Sequence, residues 1–247
     1  MLEINSVTKS FYGVNAIDKV SFHVEKGSIT SLIGPNGAGK TTLINMITGV
    51  LLPTSGDIKF KGQSLIGLRP HQVGSLGIRR TFQTVRLFNG LSVRENLLIG
   101  RIRSLLGISW LQMLLPMNLG DMEGRRRADE ILSLLELRDY ADELATDLPY
   151  GIQRRVEIAR ALMGYPEFAL LDEPAAGMNE GETDQLVEDV KRIRDTGVTV
   201  LLVEHDMSMV MRVSDTIVVL NFGQKISEGS PNYIQGDPQV IASYLGS

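Results

Sequence analysis

Gly34-Pro35-Asn36-Gly37-Ala38-Gly39-Lys40-Thr41-Thr42 follows the apolar run Leu32-Ile33 and opens a helical pattern that runs from Thr41 to Gly49. Its spacing is G-x-x-x-x-G-K-[ST], a phosphate-binding loop between a buried strand and a helix. Glycines let the backbone curl so that successive N–H groups point inward. The start of the helix adds positive potential. Lys40 is expected to reach the β- and γ-phosphates of a nucleotide, and the Thr41 hydroxyl to bind Mg²⁺. Asn36, Gly37, Ala38, Gly39 and Thr42 complete the predicted phosphate-facing segment. A glycine-rich turn without a ligand is the bland alternative, and the strand–loop–helix setting argues against it.

Working outward, Leu2-Glu3-Ile4-Asn5-Ser6-Val7 and Val20-Ser21-Phe22-His23-Val24-Glu25 alternate apolar and polar residues, the period of half-buried strands. Ser28 to Ile33 ends as a buried strand does, and Asp57-Ile58-Lys59-Phe60-Lys61 alternates again. From Ser92 to Gly164 the pattern turns helical, notably over Glu130–Leu137 and Arg154–Met163, which predicts an inserted helical lobe. Apolar strand runs then return at Phe168–Leu171, Val198–Val203 and Ile217–Leu220, with a helical pattern over Glu180–Arg194. Strand, helix, strand in this order implies a parallel sheet with right-handed crossovers. The tail, Pro238 to Leu245, reads as a short last helix.

Phe168-Ala169-Leu170-Leu171 leads directly into Asp172-Glu173. Acids at the end of a buried parallel strand sit where open sheets bind ligands. Asp172 is expected to hold the hydrated Mg²⁺ opposite Thr41. Glu173 would then face the γ-phosphate and orient or deprotonate the attacking water. Two solvated acids in a strand-end turn are the alternative, which the preceding phosphate loop disfavours.

Composition bounds these readings. The 247 residues carry 25 Lys+Arg against 29 Asp+Glu, a net charge of −4, which speaks against a globally basic nucleic-acid binder. The absence of cysteine excludes disulfides, thiolate metal sites and cysteine catalysis. Met1-Leu2-Glu3-Ile4-Asn5 does not read as a signal peptide, and no apolar run reaches the ~20 residues of a membrane span. The nearest is the uncharged stretch Ser104–Gly120, which holds Trp110. Its apolar residues would cover every face of a helix, as in a buried helix, or would form a docking surface.

At this point the sequence resembles the ATP-binding subunits of ABC transporters over essentially its full length. Several motifs follow in that family's order. Gln83 in Arg80-Thr81-Phe82-Gln83 looks like the glutamine that senses Mg²⁺ and the attacking water. Leu148-Pro149-Tyr150-Gly151-Ile152-Gln153 resembles the signature loop, with Tyr150 and Gly151 facing the nucleotide of a second subunit. Ala176-Gly177-Met178-Asn179 resembles the loop that pairs subunits. His205 in Glu204-His205-Asp206 stands where the family places a γ-phosphate contact. Phe11 resembles the aromatic that stacks on adenine, with Tyr12 as its rival. Within the superfamily, Arg80–Phe88, Asp172–Asn179 and Ser243-Tyr244-Leu245-Gly246 most resemble branched-chain amino acid importer subunits.

The resemblance implies an α/β P-loop NTPase (ABC ATPase) fold. It has a mixed central sheet, an N-terminal antiparallel β subdomain and an inserted α-helical subdomain. One domain over 1–247 divides into a core of 1–91 and 165–247 and a helical lobe of 92–164. It also implies ATP and Mg²⁺ as ligands, and Glu173, His205 and Gln83 as catalytic residues. The metal would lie among Thr41, Gln83 and Asp172. Implied partners are transmembrane permease subunits, a second ATPase subunit (self or paralogue) in a head-to-tail dimer and, indirectly, an extracytoplasmic substrate-binding protein. Nucleic acid is not among them. The place of work would be peripheral, at the cytoplasmic face of the inner (plasma) membrane. Related systems for urea, amides or lipid export share much of the pattern. The common signature is Leu-Ser-Gly-Gly-Gln, and this chain departs from it at Pro149, Tyr150 and Ile152. Proline offers neither the hydroxyl nor the N–H of serine. The site completed by this loop is therefore expected either to turn over more slowly or to carry only a lineage marker.

Overall fold

Strand β3 (Ile29–Ile33), which delivers the phosphate loop, is buried along its whole length. The computed structural model describes residues 1–81, 84–101 and 122–245. Gln83 and the apolar stretch 104–120 lie outside the described residues.

Around β3 runs a six-stranded sheet built from β6 (Ile78–Arg80), β7 (Phe168–Asp172), β8 (Thr199–Val203), β9 (Thr216–Asn221) and β10 (Gln224–Gly229). Its order is β10-β9-β3-β8-β7-β6. All neighbours pair in parallel except β9 and β10, so the sheet is mixed. β7 and β8 are buried at every residue, as parallel strands covered on both faces must be. Their side chains alternate between two cores. Ala169, Leu171, Val200 and Leu202 face one, and Phe168, Leu170, Leu201 and Val203 face the other.

The registers bring the chemistry together. Leu32 pairs with Val203, and Val203 with Asp172. The residues that follow β3, β8 and β7 therefore emerge along one edge of the sheet: the phosphate loop, Glu204-His205 and Glu173. The second sheet is antiparallel, in the order β2 (Val14–Val24), β1 (Leu2–Phe11), β4 (Ser55–Phe60), β5 (Gln63–Ser64). It shares the second core with α1 (Lys40–Ile47) through Leu2, Ile4, Ile58, Phe60, Leu43 and Ile47.

Some local details differ from the periodicity. β2 begins at Val14, earlier than the alternation from Val20 suggests, because Tyr12 and Gly13 both have positive φ and form a two-residue hairpin turn. Ser6 (φ 46°) sits at a register shift that turns Val7 into the core. β6 pairs with β7 at the sheet edge, although two of its three residues are arginine.

Helix α2 (Pro70–Ser75) precedes β6. The helical segment contributes α3 (Val93–Ile99), α4 (Met122–Leu134) and α5 (Tyr150–Leu162). Its described residues form no ladder beyond the single bridge Ser92–Leu144. Val156, Ile158 and Ala159 of α5 share the first core with β7, β8 and α6 (Glu180–Asp195), so this lobe is packed onto the sheet rather than built around a core of its own. Arg155 and Asp189 cross-link α5 to α6 in a buried ion pair at 2.6 Å. Burial raises the Asp189 carboxyl above its usual range, against the opposing pull of Arg155. Helices α7 (Met207–Val213), α8 (Pro231–Gly236) and α9 (Pro238–Leu245) close the far side over Ile33, Ile217 and Val219. Among the described residues no helix is long and apolar enough to cross a membrane.

Candidate active site

The phosphate loop needs its glycines for two different reasons. Gly34 (φ 151°) lies so close to the next strand that an added Cβ would be 2.1 Å from the Leu220 carbonyl oxygen. At Gly39 (φ 100°) a Cβ would meet the Ala16 carbonyl and the Ile17 side chain at 2.6 Å. Gly37 (φ 80°) has open space and is required by conformation alone. The turn is braced from outside, where the Gly223 N–H donates to the Ala38 carbonyl at 3.0 Å. Asn36, Gly37 and Thr41 are exposed, Thr42 is half-buried and Ala38 is buried.

Helix α1 starts at Lys40 with Gly39 as its cap and no side-chain cap. Its opening N–H groups thus face the loop, as an anion site requires. The Lys40 ammonium is buried and donates to the carbonyls of Gly34 at 2.6 Å and Pro35 at 3.2 Å. Burial lowers its pKa, and the charges of Glu173, Asp172 and Glu204 oppose that shift. An ammonium folded onto its own loop, facing three carboxylates, fits a polyphosphate that arrives with a cation. The Thr41 hydroxyl and Asp172 carboxylate are hard oxygen donors of the kind Mg²⁺ takes.

Asp172 is buried at the end of β7, where Arg80 donates to its Oδ2 at 2.9 Å. Glu173 follows in a left-handed conformation (φ 46°), which costs a non-glycine residue about 1–2 kcal/mol. Backbone bonds hold it there: its N–H donates to the Val203 carbonyl at 2.8 Å, and its carbonyl accepts from Ala176 at 3.2 Å. Arg154 adds a guanidinium. This fully buried side chain of α5 donates to the carbonyls of Glu173 at 2.9 Å and Pro174 at 3.2 Å, and pairs with Glu157 at 2.9 Å.

Glu204 is also fully buried and accepts three backbone N–H bonds, from Ala175 (2.7 Å), His205 (2.9 Å) and Asp206 (3.3 Å). It thereby ties the turn after Glu173 to the loop of His205. The His205 ring is largely exposed, with Nδ1 3.6 Å from the Glu204 carboxylate.

Pro149 caps α5 by backbone only, and the first bond of the helix runs from the Gln153 N–H to the Pro149 carbonyl at 3.0 Å. Gln153 also ties down the preceding loop through the carbonyls of Thr146 and Leu148. Tyr150 is half-exposed and lies against Gly177, while Gly151 abuts the Glu182 side chain. Glu182 and Asn179 form the capping box of α6. The signature loop and the Ala176–Asn179 loop are therefore in contact within one chain. Ile152 turns inward against the core. Phe11 lies under the Lys9 ammonium, 5.0 Å from its ring centroid, whereas Tyr12 is fully exposed at the hairpin tip.

A family model described as "ABC transporter" matches residues 17–176, which include the phosphate loop, the signature loop and Asp172-Glu173. The chain belongs to the ABC transporter family. It is 42% identical to the high-affinity branched-chain amino acid transport ATP-binding protein BraF of Pseudomonas aeruginosa, over all of this chain and 98% of the relative. It is equally similar to LivG of Escherichia coli, a protein of the same description, over the same shares. Among solved structures it resembles an ATP-binding cassette of an ABC transporter in its ADP conformation. That match has a TM-score of 0.88 and 35% identity, over 100% of this chain and 99% of that one. A dimeric bacterial ABC transporter cassette matches with a TM-score of 0.77 and 26% identity, over 94% and 99%.

Three residues of this ABC chain escaped the sequence reading. Arg154 carried a signal, a charged residue on the buried face of an otherwise amphipathic helix. Glu204 was visible only as the neighbour of His205. Arg80 lies in Arg80-Thr81-Phe82-Gln83, where nothing signals that its side chain reaches the end of β7 and helix α1.

Proposed function

We propose that this chain is the ATP-hydrolysing subunit of a transporter for branched-chain amino acids. It would act at the cytoplasmic face of the membrane, in a head-to-tail pair with a copy or paralogue. The observation that carries this reading is the full-length similarity to branched-chain amino acid transport ATP-binding proteins, in a chain whose phosphate loop and carboxylate edge are both intact. Lys40 exchanges the Gly34 and Pro35 carbonyls for the β- and γ-phosphates. Thr41 and Asp172, with Gln83, would hold Mg²⁺, which when bound supplies charge neutralisation. Glu173 accepts a proton from the attacking water, and His205 contacts the γ-phosphate. Phe11 is the better placed aromatic for adenine. The exposed start of α5, from Tyr150 and Gly151, caps the nucleotide held by the other subunit. Permease subunits would receive the motion through the helical lobe, and an extracytoplasmic binding protein would deliver the cargo.

The test is reconstitution with permease subunits and the binding protein of a branched-chain amino acid transporter. Leucine, isoleucine or valine, presented by the binding protein, should stimulate phosphate release, and Glu173→Gln combined with the equivalent change in the partner should abolish it. Stimulation by an unrelated cargo alone would overturn the assignment of substrate. Turnover that survives both changes would overturn the assignment of the base.

A further inference from the structure

Arg80 ends β6, three residues before Gln83, and its side chain is only 14% exposed. Its guanidinium spans three elements. One amino group donates to Asp172 Oδ2 at 2.9 Å, and the other to Asn45 Oδ1 at 2.8 Å and Thr48 Oγ1 at 3.4 Å. Asn45 lies on α1, the helix of the phosphate loop, and Thr48 ends it. Thr81, the next residue, adds a second link, because its hydroxyl accepts from the Asp172 N–H at 3.3 Å. A planar fork can serve two acceptors in fixed directions, which an ammonium cannot.

The charges around this group set its role. Three carboxylates act on Lys40: Glu173, Asp172 and Glu204. Glu204 is occupied by backbone N–H donors. Asp172 and Glu173 are adjacent acids at a strand end, whose summed charge attracts a divalent cation, and the Asp172 carboxylate is a hard oxygen donor of the kind such a cation takes. Arg80 places a permanent positive charge on one oxygen of that pair.

We propose that Arg80 is a positioning residue for the metal. It occupies one oxygen of Asp172, aims the other at the site, and keeps divalent cations off the empty chain so that they enter only with nucleotide. The proposal rests on the reading of Asp172 as a metal-holding residue.

The experiment uses the purified full chain and Mn²⁺ as the probe, read by electron paramagnetic resonance without nucleotide. Arg80→Gln should bind Mn²⁺ at least about tenfold more tightly than the wild type, since a unit charge in contact with the site is gone. Arg80→Lys keeps the charge but not the fork, and should bind about threefold more tightly. Asp172→Asn in either background should remove the gain. Equal Mn²⁺ binding by the wild type and both variants overturns the proposal. If Arg80→Gln does not fold, the comparison of Arg80→Lys with the wild type decides in the same way. The underlying reading is tested separately: Asp172→Asn in the wild-type chain should erase the difference between ATP affinity with and without Mg²⁺. If that difference survives, the metal assignment fails; if it is erased and Mn²⁺ binding is nonetheless equal, only the role of Arg80 fails.

Discussion

The guanidinium of Arg154 donates to the main-chain carbonyl of Glu173 at 2.9 Å, from a helix whose first residues are the signature loop. The expected base is thus held by the element proposed to cap the other subunit's nucleotide. Glu173 sits in a strained backbone conformation, and such residues persist where their surroundings over-determine them. Arg154 is part of that over-determination, together with Val203 and Ala176.

Arg154→Lys should therefore lower kcat by about tenfold or more while leaving ATP affinity of the isolated chain nearly unchanged. A single ammonium cannot serve Glu173, Pro174 and Glu157 at once, and one lost charge-assisted bond is worth about 1.5–3 kcal/mol. A rise in KM at constant kcat would show instead that Arg154 only shapes binding. Arg154→Met should be worse for folding, by about 3–5 kcal/mol in urea unfolding, because it removes the guanidinium that pairs with the buried Glu157 at 2.9 Å.

Substituting the glycines of the phosphate loop by alanine should separate conformation from contact. Gly37→Ala should cost the nucleotide-free chain only about 1 kcal/mol, the price of its positive φ. Gly34→Ala and Gly39→Ala add a backbone clash at 2.1 and 2.6 Å and should cost several times as much. Equal melting temperatures for the three variants would show that the loop is free to adjust.

Much of this was legible from residue patterns. The phosphate loop, the buried strands and Asp172-Glu173 are local: each is written in a run of residues with its own spacing. The registers that bring Leu32, Val203 and Asp172 to one edge were not legible, because strands apolar on both faces lack the one-sided pattern that forbids a one-residue slip. What stayed hidden is contact made across the chain. Arg80 meets Asp172 over 92 residues, and Arg154 meets Glu173 from another helix. Arg80 does not differ in sequence from an arginine on the surface, and Arg154 is marked only by its place on the buried face of α5. The Tyr12-Gly13 hairpin was hidden too, because an aromatic at a left-handed turn position lacks the usual Asn or Asp signal.

Binding of ATP should be linked to the proton on Lys40. In the nucleotide-free chain burial lowers this pKa from 10.5, and phosphate charge favours the ammonium in the complex. Affinity should be full below the lowered pKa and fall as pH rises through it, earlier than for an ordinary lysine. The fold itself has the opposite sign. Between the lowered value and 10.5 the unfolded chain binds more protons, so this group's contribution to stability rises with pH. Titrations of ATP affinity and of urea stability over the alkaline range check both signs, and Lys40→Ala should flatten both curves.

Pro149→Ser should improve the loop that this chain presents to its partner. Proline caps α5 through its backbone alone, with no side chain accepting from the first turn. A serine there would accept such a bond, which is worth about 0.5–2 kcal/mol to a helix. It would also point a hydroxyl and an N–H toward the nucleotide held by the partner. If proline slows the site it completes, Pro149→Ser should raise steady-state phosphate release in the assembled transporter. That gain should survive Glu173→Gln in this chain, since that base serves the other site, and should vanish when the partner's equivalent base is removed. A variant that melts higher but hydrolyses no faster would show Pro149 to be a mark of lineage without catalytic cost. The remaining N–H groups at the start of α5 would then suffice for the phosphate.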